Sequence, residues 1–165
     1  MVEQKFIIIG GVTGCGKTTI SKNLALKLGY ESLDADDFHS AENVAKMAQA
    51  IPLTTEDRLP WLETLSRLPE KYPRLVLACS ALKPEYRRIL QSHFDAFFIM
   101  LNTKKEVIQD RLTRRLEHYA SFELVESQFK TLEMPKEDEK NAAIVENVGP
   151  VDEVIDKIIK ILQNA

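Results

Sequence analysis

The chain has 165 residues, of which 44% are hydrophobic and 28% charged, and its formal net charge at pH 7 is −3. This length predicts one domain spanning residues 1–165, and the composition is that of an ordinary globular protein. The slightly acidic balance argues against nucleic acid or an anionic membrane as the main partner. No apolar run approaches the roughly 18 residues that a membrane-spanning helix needs.

The amino terminus and the cysteines indicate a cytoplasmic protein. The opening residues MVEQKFIIIGG lack a basic segment and a cleavage-site pattern, so no signal peptide is expected. Cys15 and Cys79 are far apart in the sequence. Such a pair favours a reduced, cytosolic protein over a disulfide-stapled one.

Five short apolar segments predict buried strands, at residues 5–10, 31–35, 74–79, 96–101 and 142–147. Helical patterns lie between them. Ile20, Leu24 and Leu28 recur at four-residue spacing before Gly29, and a final helix begins near Val151. Strands that alternate with helices predict an α/β fold in three layers, with a five-stranded parallel sheet between helices. Ligands of such sheets bind at the carboxyl ends of the strands.

The segment after the first strand is a phosphate-binding loop. Residues 11–18 have the Gly-x-x-x-x-Gly-Lys-Thr spacing between a strand and a helix. Backbone N–H groups and the helix N-terminus would hold nucleotide phosphates, Lys17 would reach the outer phosphates, and Thr18 would ligate Mg²⁺. The predicted ATP-binding residues are Gly11, Val12, Thr13, Gly14, Cys15, Gly16, Lys17, Thr18 and Thr19. Cys15 needs only to be small, although a lowered thiol pKa at a helix N-terminus would make it reactive.

Carboxylates follow the second strand in the sequence DADDFH, residues 34–39. Asp36 is predicted to face the acceptor and take its proton, and a carboxylate here would also help to hold Mg²⁺, partly through water. We assign that metal role to Asp36 together with Thr18. Asp37 is equally well explained as a helix cap, and His39 as a structural or substrate-orienting residue rather than a base.

Hydroxyl and basic side chains follow the next strands. Ser80, Lys83 and Arg87 come after the third strand, where they would meet the acceptor. After the fourth strand, Arg111, Arg115 and His118 share one helix face. The two arginines would close over the transferring phosphoryl group as part of a helical lid, although a solvated basic face explains them as well. After the fifth strand, residues 147–150, including Pro150, would border the adenine.

Together these segments resemble the gluconokinases of the small P-loop type, which are related in fold to shikimate and adenylate kinases. The resemblance runs nearly end to end. It rests on GGVTGCGKTT, DADDFH, KMAQAIPLTTEDRLPWL, CSALKPEYRRIL and HYASFELVESQFKTLEMP. It implies ATP- and Mg²⁺-dependent phosphorylation of D-gluconate at its 6-hydroxyl, often by a homodimer.

The sequence departs from this family in four places. Ala35, Ser40, Ala50 and Glu117 stand where the family usually has Gly, Pro, Gly and Gly. The groups that could do chemistry are kept. These changes therefore bear on backbone shape and substrate affinity more than on reaction type.

The predicted roles fit a sugar acid. Arg58 and Arg87 are the leading candidates for the gluconate carboxylate, with His39, Ser80, Lys83 and His118 as further substrate contacts. Asp57 is expected to cap the helix that carries Trp61. Two alternatives stay open: the same chemistry on another acceptor, such as shikimate or a different sugar acid, and a regulatory ATPase without an acceptor. A GTPase is disfavoured, since no Asn-Lys-x-Asp segment is present.

Overall fold

A computed structural model describes residues 2–114 and 122–165 of the chain. Its strands are β1 (Phe6–Gly10), β2 (Glu31–Asp34), β3 (Leu75–Ala78), β4 (Phe97–Asn102) and β5 (Ala142–Glu146). All neighbours are parallel, in the order β2-β3-β1-β4-β5. The prediction of five parallel strands is confirmed, and each end differs from the predicted one by at most one residue.

The helices within the described residues are α1 (Lys17–Leu28), α2 (Ala41–Ala48), α3 (Thr55–Ser66), α4 (Pro84–Leu90), α5 (Lys105–Arg114), α6 (Phe122–Thr131) and α7 (Val151–Asn164). Short 3₁₀ turns occupy Ala35–Phe38 and Leu68–Glu70. The helix at residues 17–28 and the terminal helix from Val151 are both confirmed. No helix among residues 2–114 and 122–165 is both long enough and apolar enough to cross a membrane.

Two hydrophobic clusters cover the two faces of the sheet, because successive side chains of a strand point to opposite faces. Ile7 and Ile9 of β1 pack with residues of α1 and α7 such as Leu24 and Ile158. On the other face, Ile8 belongs to a cluster with side chains of α3 and α4. The predicted three-layer arrangement is therefore confirmed.

Local capping explains how the helices near β2 begin. The Thr54 side chain accepts from the Asp57 N–H, and the Asp57 carboxylate accepts from the Thr54 N–H, at 3.1 and 3.0 Å. This reciprocal pair is a capping box at the start of α3. The predicted capping role of Asp57 is confirmed, and its carboxylate also accepts from Lys46 of α2.

Helix α2 ends in a turn that favours glycine, yet the residue there is Ala50. The Ala50 N–H donates to the Met47 carbonyl and the Ile51 N–H to the Lys46 carbonyl, which is the Schellman pattern. Ala50 has a φ of 58° in this turn. The glycine usual at this position would relieve the crowding of the alanine Cβ, so the departure carries a backbone cost.

Candidate functional site

The phosphate-binding loop connects β1 to α1, and its shape depends on two glycines in particular. Gly16 has a φ of 99° and directly precedes α1, which has no side-chain cap at this end. A Cβ at Gly16 would collide with the Asn147 amide, and one at Gly11 would press on the Cys15 sulfur. The first turn of α1 therefore presents backbone N–H groups to an anion.

Distant segments hold this loop in place. The Cys15 carbonyl accepts from the Asn147 amide at 2.7 Å and from the Thr103 hydroxyl at 3.2 Å. The Thr13 N–H donates to the Gln128 side-chain oxygen of α6 at 2.6 Å. These three supporting side chains come from the ends of β4 and β5 and from α6. None of these contacts was predicted from the sequence, because no local pattern marks contacts between residues 88 to 132 positions apart.

Cationic side chains flank the same loop. Lys17 Nζ donates to the Val12 carbonyl at 3.1 Å, and an Arg111 nitrogen donates to the Gly14 carbonyl at 3.0 Å. Both predicted cations therefore lie at the loop. Arg115 and His118, predicted on the same helix face, fall outside the described residues.

A cavity of about 690 Å³ opens beside the loop, within the usual range for small-molecule sites. It is lined by the loop, by Thr18 and Thr19 of α1, by Asp34 and Asp36, and by residues 102–104 and 146–149 with Val151. Pro150, predicted to border adenine, is instead the residue that precedes α7 and is not among the lining residues. Its neighbours Gly149 and Val151 line the cavity, whereas Pro150 is the N-cap residue of α7.

The two carboxylates that line the cavity have different surroundings. The Thr18 hydroxyl donates to Asp34 at 3.4 Å, and the other Asp34 oxygen accepts from the Asp36 N–H at 2.9 Å. The carboxylate that meets Thr18 is thus Asp34, whereas the sequence prediction gave the metal role to Asp36. Asp34 takes this position because it is the last residue of β2 and caps the following 3₁₀ turn.

Asp36 points into the open cleft. Its side chain is 74% exposed. Desolvation by the surrounding protein raises the pKa of Asp36, the Asp34 charge raises it further, and Lys17 opposes both. An accessible carboxyl with a raised pKa suits the acceptor-facing role predicted for it.

His39 lies behind Asp36 and is held on several sides. Its side chain is only 2% exposed, and its ring stacks on Trp61 with centroids 4.1 Å apart and planes at 15°. Burial and the nearby Arg58 lower the pKa of His39 to about 4, against a smaller opposing effect of Asp34. The ring is therefore neutral at pH 7, which fits the structural or orienting role predicted for it.

A basic patch with an aromatic centre lies next to these residues. An Arg58 nitrogen donates to the Tyr86 hydroxyl at 3.0 Å, and the guanidinium lies 5.3 Å from the Tyr86 ring centroid. Lys83 Nζ is 6.0 Å from the same centroid and 3.8 Å from Glu85. Ser80 is half-buried, and its carbonyl accepts from the Gly11 N–H at 3.0 Å. The structure thus brings Arg58 and Lys83 together.

The prediction that Arg87 binds the acceptor is wrong for this structure. Its side chain is 1% exposed. Nε and one terminal nitrogen donate to the Glu139 carboxylate, the same terminal nitrogen also donates to the Glu133 carbonyl, and the other donates to the Ala81 carbonyl. Glu133 and Glu139, on the segment between α6 and β5, supply two of these three partners. Arg87 is therefore engaged inside the protein rather than facing a ligand.

The expectation of a lowered thiol pKa at Cys15 is also wrong. The side chain is fully buried, and this burial raises the pKa of Cys15 despite the opposing charges of Lys17 and Arg111. Burial also raises the pKa of Cys79 to about 12. Both cysteines are free, buried thiols, and their raised pKa values disfavour the thiolate, which is the reactive form.

Comparisons with known proteins agree with this geometry. The family model described as shikimate kinase matches residues 13–163. The chain is 41% identical to the thermosensitive gluconokinase of Escherichia coli K12, over 86% of this chain and 78% of that protein. It is 35% identical to a gluconokinase of Gluconobacter oxydans 621H, over 98% and 93%.

A solved structure is similar over nearly the whole fold. The crystal structure of a gluconokinase from Sinorhizobium meliloti 1021 superposes with a TM-score of 0.87 at 30% identity, covering 99% of this chain and 94% of that one. The phosphate loop, the parallel sheet and these relatives identify a nucleotide-dependent phosphotransferase. The chain therefore belongs to the gluconokinase family of P-loop kinases, within the group that the shikimate kinase model describes.

Proposed function

We propose that this protein transfers the γ-phosphoryl group of ATP to the 6-hydroxyl of D-gluconate, giving 6-phospho-D-gluconate. The observation that carries the proposal is the order of groups across the cleft. A phosphate loop is followed by the exposed Asp36, and behind it His39 lies close enough to Arg58 for that cation to lower the histidine pKa. A carboxylate that can accept the proton of a hydroxyl, together with cations that can bind a carboxylate, matches the two functional groups of a sugar acid.

On the nucleotide side, the chain positions the ATP phosphates and supplies positive charge around them. The N–H groups of Gly14, Gly16, Lys17 and Thr18 bind phosphate oxygens in this proposal. The ammonium of Lys17 leaves the Val12 carbonyl, which it contacts at 3.1 Å, for the outer phosphates. Arg111, at the Gly14 carbonyl, neutralises charge that develops on the transferring group. Arg115 is proposed for the same role.

A magnesium ion fits the oxygen donors beside the loop. Mg²⁺ prefers hard oxygen ligands and is commonly held by one or two carboxylates plus substrate phosphates. Thr18 and Asp34 supply a hydroxyl and a carboxylate 3.4 Å apart, with Asp36 on the same wall. Among the described residues no three His, Cys, Asp or Glu side chains form a metal cage, so nucleotide phosphates would complete the site. The ion would neutralise phosphate charge when bound with ATP.

On the acceptor side, Asp36 orients the reacting hydroxyl and accepts its proton. Arg58 and Lys83 bind the gluconate carboxylate, with Arg58 able to form a bidentate pair. Ser80, His39 and His118 are proposed to complete the polar wall. Arg87 has no part in this site.

Assembly and location complete the proposal. We expect a homodimer in a reducing cytoplasm, as the resemblance and the two free cysteines suggest. Besides ATP and Mg²⁺, a small sugar acid is the one ligand that the proposal requires.

Steady-state kinetics of two variants test the residue roles. Arg58→Ala should raise the gluconate KM roughly ten- to hundredfold, because a charge-assisted contact is lost, while the ATP KM stays within about twofold. Asp36→Ala should lower kcat roughly hundredfold or more at unchanged ATP KM. Arg67→Ala is a matched control, since Arg67 is an exposed arginine at the end of α3. An unchanged gluconate KM in Arg58→Ala would remove Arg58 from the site.

A further inference from the structure

The buried side chain of Asn43 lies against the ring of His39. Asn43 is 5% exposed, near the start of α2. Its amide nitrogen is 2.9 Å from the Asp57 carbonyl oxygen and 3.3 Å from His39 Nδ1. A carbonyl accepts only, so the Asn43 atom beside it must be the nitrogen and not the amide oxygen.

That assignment fixes the histidine tautomer. The Asn43 NH₂ group has two hydrogens, one for the Asp57 carbonyl and one for His39 Nδ1. His39 Nδ1 must therefore accept, and a hydrogen on it would oppose the Asn43 N–H. In the neutral ring the single proton is then on Nε2.

The other ring nitrogen faces the acceptor site. His39 Nε2 is 3.8 Å from Asp36 Oδ1, slightly beyond hydrogen-bond length. The stacked Trp61 ring limits motion of the imidazole plane, and the Trp61 N–H itself donates to the Ala35 carbonyl at 2.7 Å. A movement of less than 1 Å, or a hydroxyl between the two groups, completes a donor–acceptor contact.

We propose that Asn43 and His39 are positioning residues: Asn43 holds His39 as the Nε2–H tautomer, and this N–H orients the Asp36 carboxylate toward the acceptor. The inference rests on the proposed function for its kinetic consequence, because Asp36 is the acceptor-facing group there. Its structural half, the tautomer, does not depend on which acceptor is used. His39 thus acts as a fixed donor and not as a general base.

The tautomer is tested directly by ¹⁵N NMR of the imidazole rings in the unliganded protein at neutral pH. The chain has three histidines, and the His39 signals are those that His39→Gln removes. We expect an unprotonated Nδ1 and a protonated Nε2. A proton on Nδ1, or on both nitrogens, would overturn the inference. In Asn43→Ala the ring should become a mixture of tautomers, and an unchanged pure Nε2–H ring would remove Asn43 from this role.

The matched control is Ser40→Ala. The Ser40 hydroxyl caps α2 by accepting from the Asn43 N–H at 3.1 Å. Its loss should destabilise the same helix, yet leave the Asn43 side chain in place and the His39 tautomer unchanged. A tautomer change in both variants would show that loosening α2, rather than the amide contact, is responsible.

Kinetics test the second half of the inference. His39→Phe keeps a ring against Trp61 but removes the donor, so kcat should fall roughly ten- to hundredfold with the ATP KM unchanged. His39→Gln places an amide N–H where the ring N–H was, and should recover most of that loss. Equal kcat values for the phenylalanine and glutamine variants would refute the positioning role. Absence of gluconate-dependent turnover in the unmodified enzyme would instead reject the proposed function, while the NMR result would still decide the tautomer.

Discussion

Removing either partner of the Arg87–Glu139 pair should destabilise the protein strongly. Arg87 of α4 joins three segments: its guanidinium binds the Ala81 carbonyl after β3, the Glu133 carbonyl after α6, and both Glu139 oxygens at 2.8 and 2.9 Å. Because Arg87 is 1% exposed in the unmodified protein, Glu139→Ala would leave the charged guanidinium in a largely buried site without its counter-ion. The loss of one partner therefore leaves an uncompensated buried charge.

The size of the effect follows from this burial. Removing one partner of a buried ion pair typically costs about 3–5 kcal/mol. Since the Glu139 side chain is 21% exposed, Glu139→Ala should fall near the lower end. In a protein of 165 residues each kcal/mol shifts Tm by about 2–4 °C, so the Tm of Glu139→Ala should fall by roughly 6–12 °C. Glu70→Ala is the control, because Glu70 pairs with Arg67 on the surface and such pairs contribute at most about 1 kcal/mol.

Urea denaturation and thermal melting followed by circular dichroism measure these changes, and the gluconate KM of each folded variant is measured alongside. If Arg87→Ala does not fold, Glu139→Gln serves instead, since it keeps the side-chain shape and removes only the charge. A stable Arg87→Ala with a greatly raised gluconate KM would refute the reasoning. Arg87 would then be a substrate ligand after all.

The same pair predicts a pH dependence. The Arg87 hydrogen bonds hold the pKa of Glu139 below its ordinary value of 4.5. Because the folded pKa is lowered, the stabilisation is fully present above about pH 4.5 and is lost as the pH falls through the folded pKa. Glu139→Gln should therefore lose less stability on acidification than the unmodified protein, and identical acid denaturation curves would contradict this assignment.

Three further predictions concern single positions. Ala50→Gly should raise stability by up to about 1 kcal/mol, because glycine adopts a φ of 58° without crowding; chemical denaturation measures this, and a loss of stability would show that the turn is unstrained. Cys15 should react with a thiol reagent at neutral pH far more slowly than the unfolded chain does, because it is fully buried; rapid stoichiometric labelling would contradict this. Asp34→Asn should raise the Mg²⁺ concentration needed for half-maximal activity several-fold, and Asp37→Asn should not; equal effects in a Mg²⁺ titration would remove the distinction.

The fold was predictable where a local pattern is decisive. The apolar segment of β1, the glycines of the loop and the spacing of Ile20 and Leu24 predict a buried strand, a phosphate loop and a helix from nearby residues alone. The parallel sheet follows from strands that alternate with helices. The position of Asp36 at the cavity beside the phosphate loop was predictable because carboxyl ends of parallel strands meet at one edge of a sheet.

The remaining site residues depend on contacts between distant segments. Arg87 follows a strand as a ligand-binding cation would, and only Glu139, 52 positions away, shows that it is buried. Gln128 supports the loop across 115 positions. The role of Asn43 requires the Asp57 carbonyl and the His39 ring to lie on either side of one amide. Residue spacing alone does not contain this information.

The central claim is that the phosphoryl group passes from ATP to D-gluconate. The most direct measurement is ADP production with MgATP, alone and with D-gluconate, shikimate or AMP as separate acceptors. The account predicts strong stimulation by D-gluconate alone, with one ADP formed for each 6-phospho-D-gluconate. Stimulation by shikimate or AMP instead would contradict the acceptor assignment. Slow ATP hydrolysis that none of the three changes would contradict the kinase activity itself and favour a regulatory ATPase.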